Sequence, residues 1–228
     1  MPKLVLLPGL DGTGKLCVDF MHAIARRVEV QLVTYPVDRP LRYDALESLV
    51  RAVLPRDASY VLLAESFSGP IAIRIAASPP AGLAGVILCA TFAANPYPLL
   101  GWAKSFVSHV PLKSLPRWLR APLMWGSVNA KRAPTQAARA TAGVDARVLQ
   151  LRLAEVLGVD VLAVLPHVRM PALVIEARED HIVPRRAAAE LVRGLPVCRH
   201  VLVEGPHLLL QSRPDACAKV VEEFLSSI

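Results

Sequence analysis

The chain has 228 residues, of which 54% are hydrophobic and 20% charged, with a formal net charge of +7. Such a length and composition fit one domain with a buried core and exclude disorder as the main state. Mean hydropathy is high at +0.41, but the longest stretch free of Asp, Glu, Lys and Arg, residues 75–103, is broken by Pro79, Pro80, Gly82, Gly85, Pro96 and Pro98, which leaves no window of about 20 clean apolar residues for a membrane span.

In chain order, Lys3 to Leu7 is a short apolar run stopped by Pro8-Gly9, a strand and a tight turn. Leu16 to Arg27 carries apolar residues at helical spacing. Val28 to Tyr35 is a β-branched run ending at Pro36, a second strand. Tyr43 to Leu54 is a helix stopped by Pro55. Tyr60 to Ala64 is apolar throughout, as a parallel strand buried on both faces should be. Phe67 to Ala77 is a helix apolar nearly all round, ended by Pro79-Pro80, and Gly85 to Thr91 is a further apolar strand.

The pattern changes over residues 95–166, which are rich in Pro, Trp and basic residues and whose helical pieces read as short. This third carries nine basic and three acidic residues, net +6, whereas residues 1–94 are net +1 and residues 167–228 are neutral. Alternation then returns. Ala172 to Glu176 is a strand, Arg185 to Arg193 a helix closed by Gly194, Val197 to Val203 a strand, and Asp215 to Leu225 a final helix. Strands apolar on both faces, alternating with helices, predict an α/β fold with a mostly parallel sheet covered on both sides. The expected division is a core of residues 1–94 and 167–228 with a helical cap, 95–166, inserted after the fourth strand.

Functional residues in such a sheet are sought at the carboxyl ends of the strands. The first strand ends in Gly9-Leu10-Asp11-Gly12-Thr13-Gly14-Lys15. A phosphate loop would need Ser or Thr where Leu16 stands, and the spacing is not that of a dinucleotide fingerprint. What remains is a loop that exposes backbone N–H groups, equally able to hold an oxyanion. The third strand ends in Ala64-Glu65-Ser66-Phe67-Ser68-Gly69-Pro70. Small neighbours permit a sharp strand-to-helix turn that lifts the Ser66 hydroxyl, and Pro70 suits the first helical turn. The competing reading is a serine packed in a turn. Ser68 is a poorer nucleophile candidate, because Pro70 stands where a small neighbour is needed. The fifth strand is followed by Glu179-Asp180-His181-Ile182-Val183-Pro184, and the last by Gly205-Pro206-His207.

A serine, an acid and a histidine thus follow one another at successive strand ends. With the glycine-rich loop at 8–14, the elbow at 64–69, the Asp180 turn and the Gly205-Pro206-His207 end, the sequence resembles the α/β-hydrolase superfamily, of the small carboxylesterase or acyl-ester hydrolase type with a cap insertion. The resemblance covers nearly the whole chain outside the middle third. It implies Ser66 as nucleophile, Asp180 as orienting acid and His207 as base, with the backbone N–H groups of Leu10 and Phe67 as an oxyanion hole. It departs from the family in three places: Pro8-Gly9 replaces His-Gly, Ala64 and Ser68 replace the elbow glycines, and the two strands that often precede the glycine-rich loop are missing. A six-stranded sheet is therefore expected.

Glu179 is a possible substitute acid, less favoured by register, and His181 a solvated neighbour. Glu65 is expected to contact backbone near the elbow. His22, His109, His167 and His200 have no partners at metal-ligand spacing, and Cys17, Cys89, Cys198 and Cys217 form no metal or redox pair. Neither a metal nor an organic cofactor is expected. Trp102, Phe106, Trp118, Met124 and Trp125 are candidates for an apolar substrate pocket, against the plainer reading that they pack the cap onto the sheet. The basic surplus suits an anionic or carrier- or CoA-linked ester, or transient contact with a phospholipid surface, and equally a solvated face. No nucleic-acid module is present. The apolar run at Leu4 to Leu7 is too short for a signal peptide, so a cytoplasmic protein is expected. The expected function is a serine esterase. A thioesterase or acyltransferase using the same groups is the alternative, and a non-catalytic ligand-binding protein is the alternative of another class.

Overall fold

The computed structural model describes residues 1–105 and 141–228. Strands β1 (Lys3–Leu7), β2 (Val30–Leu32), β3 (Tyr60–Glu65), β4 (Leu83–Cys89), β5 (Ala172–Glu179) and β6 (Cys198–Pro206) form one sheet in the order β2-β1-β3-β4-β5-β6. Every neighbouring pair is parallel. The expected six-stranded α/β sheet is therefore present.

Period-two alternation explains why these strands are apolar throughout. Val5, Leu7, Leu62, Ala64, Val86, Leu88 and Val174 face one way, into a core shared with helices α2 (Tyr43–Val53) and α3 (Gly69–Ala77). Leu4, Leu6, Val61, Leu63, Ile87, Cys89, Leu173 and Ile175 face the other way, against α1 (Val18–Ile24). Polar positions are thus excluded from both faces of the central strands, which read as unbroken hydrophobic runs.

Two strands outrun their sequence signal. β5 and β6 extend to Glu179 and Pro206 because they pair with each other that far, Ala177 with Val203 and Glu179 with Pro206. Their charged ends, Arg178 and Glu204, form an ion pair. The apolar signal fades at Ala177 and Val203, where charged Arg178 and Glu204 follow, so it misses this extension. β2, by contrast, is only three residues long, although Val33 N–H still bonds Leu6 O at 2.9 Å.

Between β4 and β5 the expectation of short helical pieces is corrected. Helix α4 (Ala146–Gly158) has 13 residues and is capped by the Asp145 side chain, which accepts from Arg147 N–H. It lies against the sheet body. Glu155 accepts from the N–H of Tyr43, the first residue of α2, at 3.0 Å and pairs with Arg42 at 3.2 Å. Helices α5 (Arg185–Gly194), α6 (Leu209–Ser212) and α7 (Pro214–Leu225) complete the described elements. The four-residue α6 carries no sequence signal of its own. Among the described residues no helix is long and apolar enough to cross a membrane.

Leu62 on β3 is fully buried. Replacing it with Ala removes transfer energy and leaves a cavity, so Leu62→Ala is expected to lower unfolding free energy by about 2–5 kcal/mol, read from urea melts.

Candidate active site

The carboxyl ends of β1, β3, β5 and β6 deliver the predicted residues to one place. Ser66 follows β3 directly, with φ at +49°. Left-handed backbone at a non-glycine residue costs on the order of 1–3 kcal/mol, so something must hold it. A 3-10 turn over Ser66–Ser68 leads straight into α3, with Pro70 in its first turn. The Thr91 hydroxyl donates to Ser66 O. A Cβ at position 69 would overlap the Thr91 side chain, so only glycine lets Thr91 reach the turn. Ser68 is fully buried and donates to Pro8 O. Its oxygen therefore accepts from Tyr35 Oη at 2.7 Å. Ser68 is committed to structure, and Ser66 alone offers a partly exposed hydroxyl.

Ser66 Oγ lies 2.9 Å from His207 Nε2, and His207 Nδ1 lies 2.8 Å from Asp180 Oδ2. The other carboxylate oxygen, Oδ1, accepts from the N–H groups of Ile182 and Val183, both at 2.8 Å. Its turn thus fixes Asp180 with one oxygen free for the imidazole. A carboxylate oxygen accepts, so Nδ1 donates, and Nε2 is left to accept the serine proton. The side chains of His207 and Asp180 are 5% and 4% exposed, so this relay is shielded from water while Ser66 is reachable. Glu179, the substitute acid, pairs backbone with Pro206 instead of meeting the imidazole. His181 is exposed.

Leu10 stands in the loop after β1 and Phe67 at the start of the helical turn, where N–H groups have no helical partner. Phe67 is buried, stacked on Tyr43 with ring centroids 4.8 Å apart, and its carbonyl accepts from Tyr43 Oη at 3.0 Å. Trp102 lies on the 3-10 stretch Pro98–Ser105 and is 71% exposed. Phe106, Trp118, Met124 and Trp125 lie outside the described residues.

Sequence reasoning missed two buried groups. Glu65, expected on backbone, instead accepts from Gln211 Nε2 at 2.8 Å and from Cys17 Sγ at 3.5 Å. Burial pushes its carboxyl up from the ordinary value, and Asp11 adds to this; the Gln211 hydrogen bond and His207 act against it. The second is Arg152 of α4, which is 1% exposed. Neither has a motif, because both are defined by partners far along the chain. Elsewhere His200 Nε2 meets Glu176 at 2.9 Å, a structural pairing. Among the described residues no group of three or more His, Cys, Asp and Glu is placed to hold a metal ion.

The arrangement can take a proton from a hydroxyl, hold the resulting imidazolium against a carboxylate, and return the proton. The alpha/beta hydrolase family matches residues 4–220. The chain is 27% identical over 251 residues to polyketide synthase ThaQ of Burkholderia thailandensis, covering 98% of this chain but only 12% of that protein. It is 25% identical over 247 residues to a protein that carries the name carbamate hydrolase RutD, from Pseudomonas savastanoi pv. phaseolicola, covering 99% and 94% of the two chains. Among solved structures, the enol-lactonase from Burkholderia xenovorans LB400 superposes with a TM-score of 0.85 at 19% identity, over 99% of this chain and 91% of that one.

The raised Glu65 carboxyl has a consequence for stability. A group raised in the folded state contributes stability that is full below its unfolded value and is lost as pH rises through its folded value. Glu65→Gln keeps the acceptor for Gln211 and removes the charge. The variant is expected to be more stable than the parent at pH 8, with the gap closing towards pH 4, as read from urea midpoints across that range.

Proposed function

We propose that this chain, which belongs to the alpha/beta hydrolase family, is a serine hydrolase that cleaves a carboxylic ester through Ser66, His207 and Asp180. The observation that carries the reading is the unbroken pair of contacts, Ser66 Oγ to His207 Nε2 at 2.9 Å and His207 Nδ1 to Asp180 Oδ2 at 2.8 Å, on a serine held at positive φ.

His207 Nε2 takes the Ser66 proton as Oγ attacks the carbonyl carbon, and the carbonyl π pair moves onto oxygen. The N–H groups of Leu10 and Phe67 receive that oxyanion. When the tetrahedral species collapses, the C–O bond to the alcohol breaks and the alcohol leaves with the proton held on His207. Water then attacks the acyl-enzyme, giving its proton to His207, and the serine recovers it as the acid departs. Asp180 stays ionised, fixing the tautomer and stabilising the imidazolium.

Residues 95–166 serve in this reading as the cap over the core of 1–94 and 167–228. Hydrolysis of an enol-lactone by the Burkholderia xenovorans protein and the carbamate hydrolase name of RutD support a small-molecule acyl substrate. The likeness to a segment of a polyketide synthase favours testing thioesters as the second substrate class, since the same acyl-enzyme would form.

The test is turnover of a chain-length series of p-nitrophenyl esters and acyl thioesters, together with fluorophosphonate labelling. The parent is expected to hydrolyse at least one series and to be labelled on Ser66. Ser66→Ala and His207→Ala should each lower kcat by about 10³-fold or more, and Asp180→Asn by about 10⁴-fold, with the fold retained. Absence of both turnover and labelling in the parent sinks the reading.

A further inference from the structure

Arg152 is a buried cation that forms no direct ion pair among the described residues, although buried Asp11 lies near enough to act on it. It sits midway along α4, three residues before Glu155, which docks that helix onto the start of α2. Its side chain is among the largest fully buried ones in the molecule. Among the described residues it forms no ion pair with a carboxylate; Asp11, itself buried, is occupied by Thr13 N–H at 2.9 Å. The guanidinium meets two backbone carbonyls instead. Nη1 donates to Leu10 O at 2.8 Å and Nη2 to Pro36 O at 2.9 Å. Its Nε finds no hydrogen-bond partner. Its Cζ lies 5.6 Å from the centroid of the Tyr35 ring and 6.0 Å from that of Phe67, within reach of cation–π attraction.

A buried charge without a direct ion pair is costly. Packing alone would be met as well by Leu or Met. The chain has also shaped itself around this group: Gly12 has φ +72°, and a Cβ there would overlap the guanidinium. The glycine-rich loop can therefore close over Arg152 only because position 12 has no side chain. What sets Arg152 apart is that it bonds Leu10 and lies within cation–π range of Phe67, residues 142 and 85 positions away along the chain.

We propose that Arg152 is the positioning residue for the oxyanion donors: by holding Leu10 O and Pro36 O in one rigid fork while its cation lies against the Phe67 ring, it fixes the spacing of the two backbone N–H groups that receive the developing negative charge. This deepens the ester-hydrolase reading and rests on it. The hydrogen bond to Leu10 O sets the plane of the Leu10–Asp11 peptide, and with it the direction of the loop that carries Leu10 N–H. Pro36 O anchors the second arm of the fork, so the group cannot swing. Its charge acts through a low-dielectric interior, where a field persists over several ångströms, and it favours negative charge developing beside the loop. Lys could reach one carbonyl but could not hold two in a plane or stack on the rings.

The experiment compares Arg152→Met and Arg152→Lys with the parent on a p-nitrophenyl ester, and measures phenylboronic acid affinity, since its adduct on Ser66 puts a tetrahedral oxygen where the oxyanion forms. For Arg152→Met, kcat is expected to fall about 10- to 100-fold, as partial loss of an oxyanion donor implies. Boronate affinity should fall by a similar factor and KM should stay within about threefold. Arg152→Lys should fall between the two. The proposal is overturned if kcat and boronate affinity in either folded variant stay within about twofold of the parent, or if KM rises at unchanged kcat, which would make Arg152 a substrate anchor. Should Arg152→Met fail to fold, Arg152→Lys carries the same criteria. Amide exchange of residues 9–13 gives a reading independent of turnover. If the parent hydrolyses no ester and Ser66 resists fluorophosphonate, the ester reading falls, while faster exchange confined to this loop in Arg152→Lys still upholds the clamp and unchanged exchange removes it.

Discussion

One backbone angle constrains the rest of the site. Ser66 is held at positive φ between a strand buried over its whole length and a helix buried on nearly every face. That conformation aims its hydroxyl out of the sheet and starts a helical turn behind it. It survives because its neighbours leave no alternative: Thr91 holds the Ser66 carbonyl, Gly69 makes room for Thr91, and Tyr43 holds the Phe67 carbonyl. Each of these bonds adds a side-chain donor to a backbone carbonyl of the turn, so the strain is offset by polar satisfaction.

A second tie joins the elbow to the loop after β1. The Tyr35–Ser68–Pro8 chain of hydrogen bonds passes between them, so the departure from a glycine at position 68 is not a loss. The serine gives the loop an anchor that glycine lacks. Serine in place of the usual glycine thus tightens the link between the elbow and the loop after β1.

Charge is arranged unevenly beneath the surface. Asp180 is fully committed, with one oxygen on two N–H groups and the other on His207. Glu65 lies on the opposite side of Ser66 in sequence, among Cys17 and Gln211, in surroundings that favour its neutral form. Burial is what pushes Glu65 that way, against the pull of its own hydrogen bonds. Cys17, Cys89 and Cys217 are buried free thiols pushed up by burial, which keeps them inert beside this chemistry.

The sequence by itself determined the strands, because burial on both faces leaves an unbroken apolar run that needs no partner to be recognised. It also determined the order of Ser66, Asp180 and His207, since a strand end is a local event marked by Gly, Pro and small residues. The 2.9 and 2.8 Å contacts among those three, the length of β5 and β6, and the burial of Arg152 and Glu65 were decided only by the tertiary structure. Arg152 meets Leu10 across 142 residues and Gln211 meets Glu65 across 146. No periodicity along the chain encodes such a meeting. A basic residue on a helix of the middle third reads as one more solvated charge until packing brings two carbonyls and two rings around it. Local patterns record what each segment buries, whereas the partner of a buried polar group exists only once the segments have been brought together.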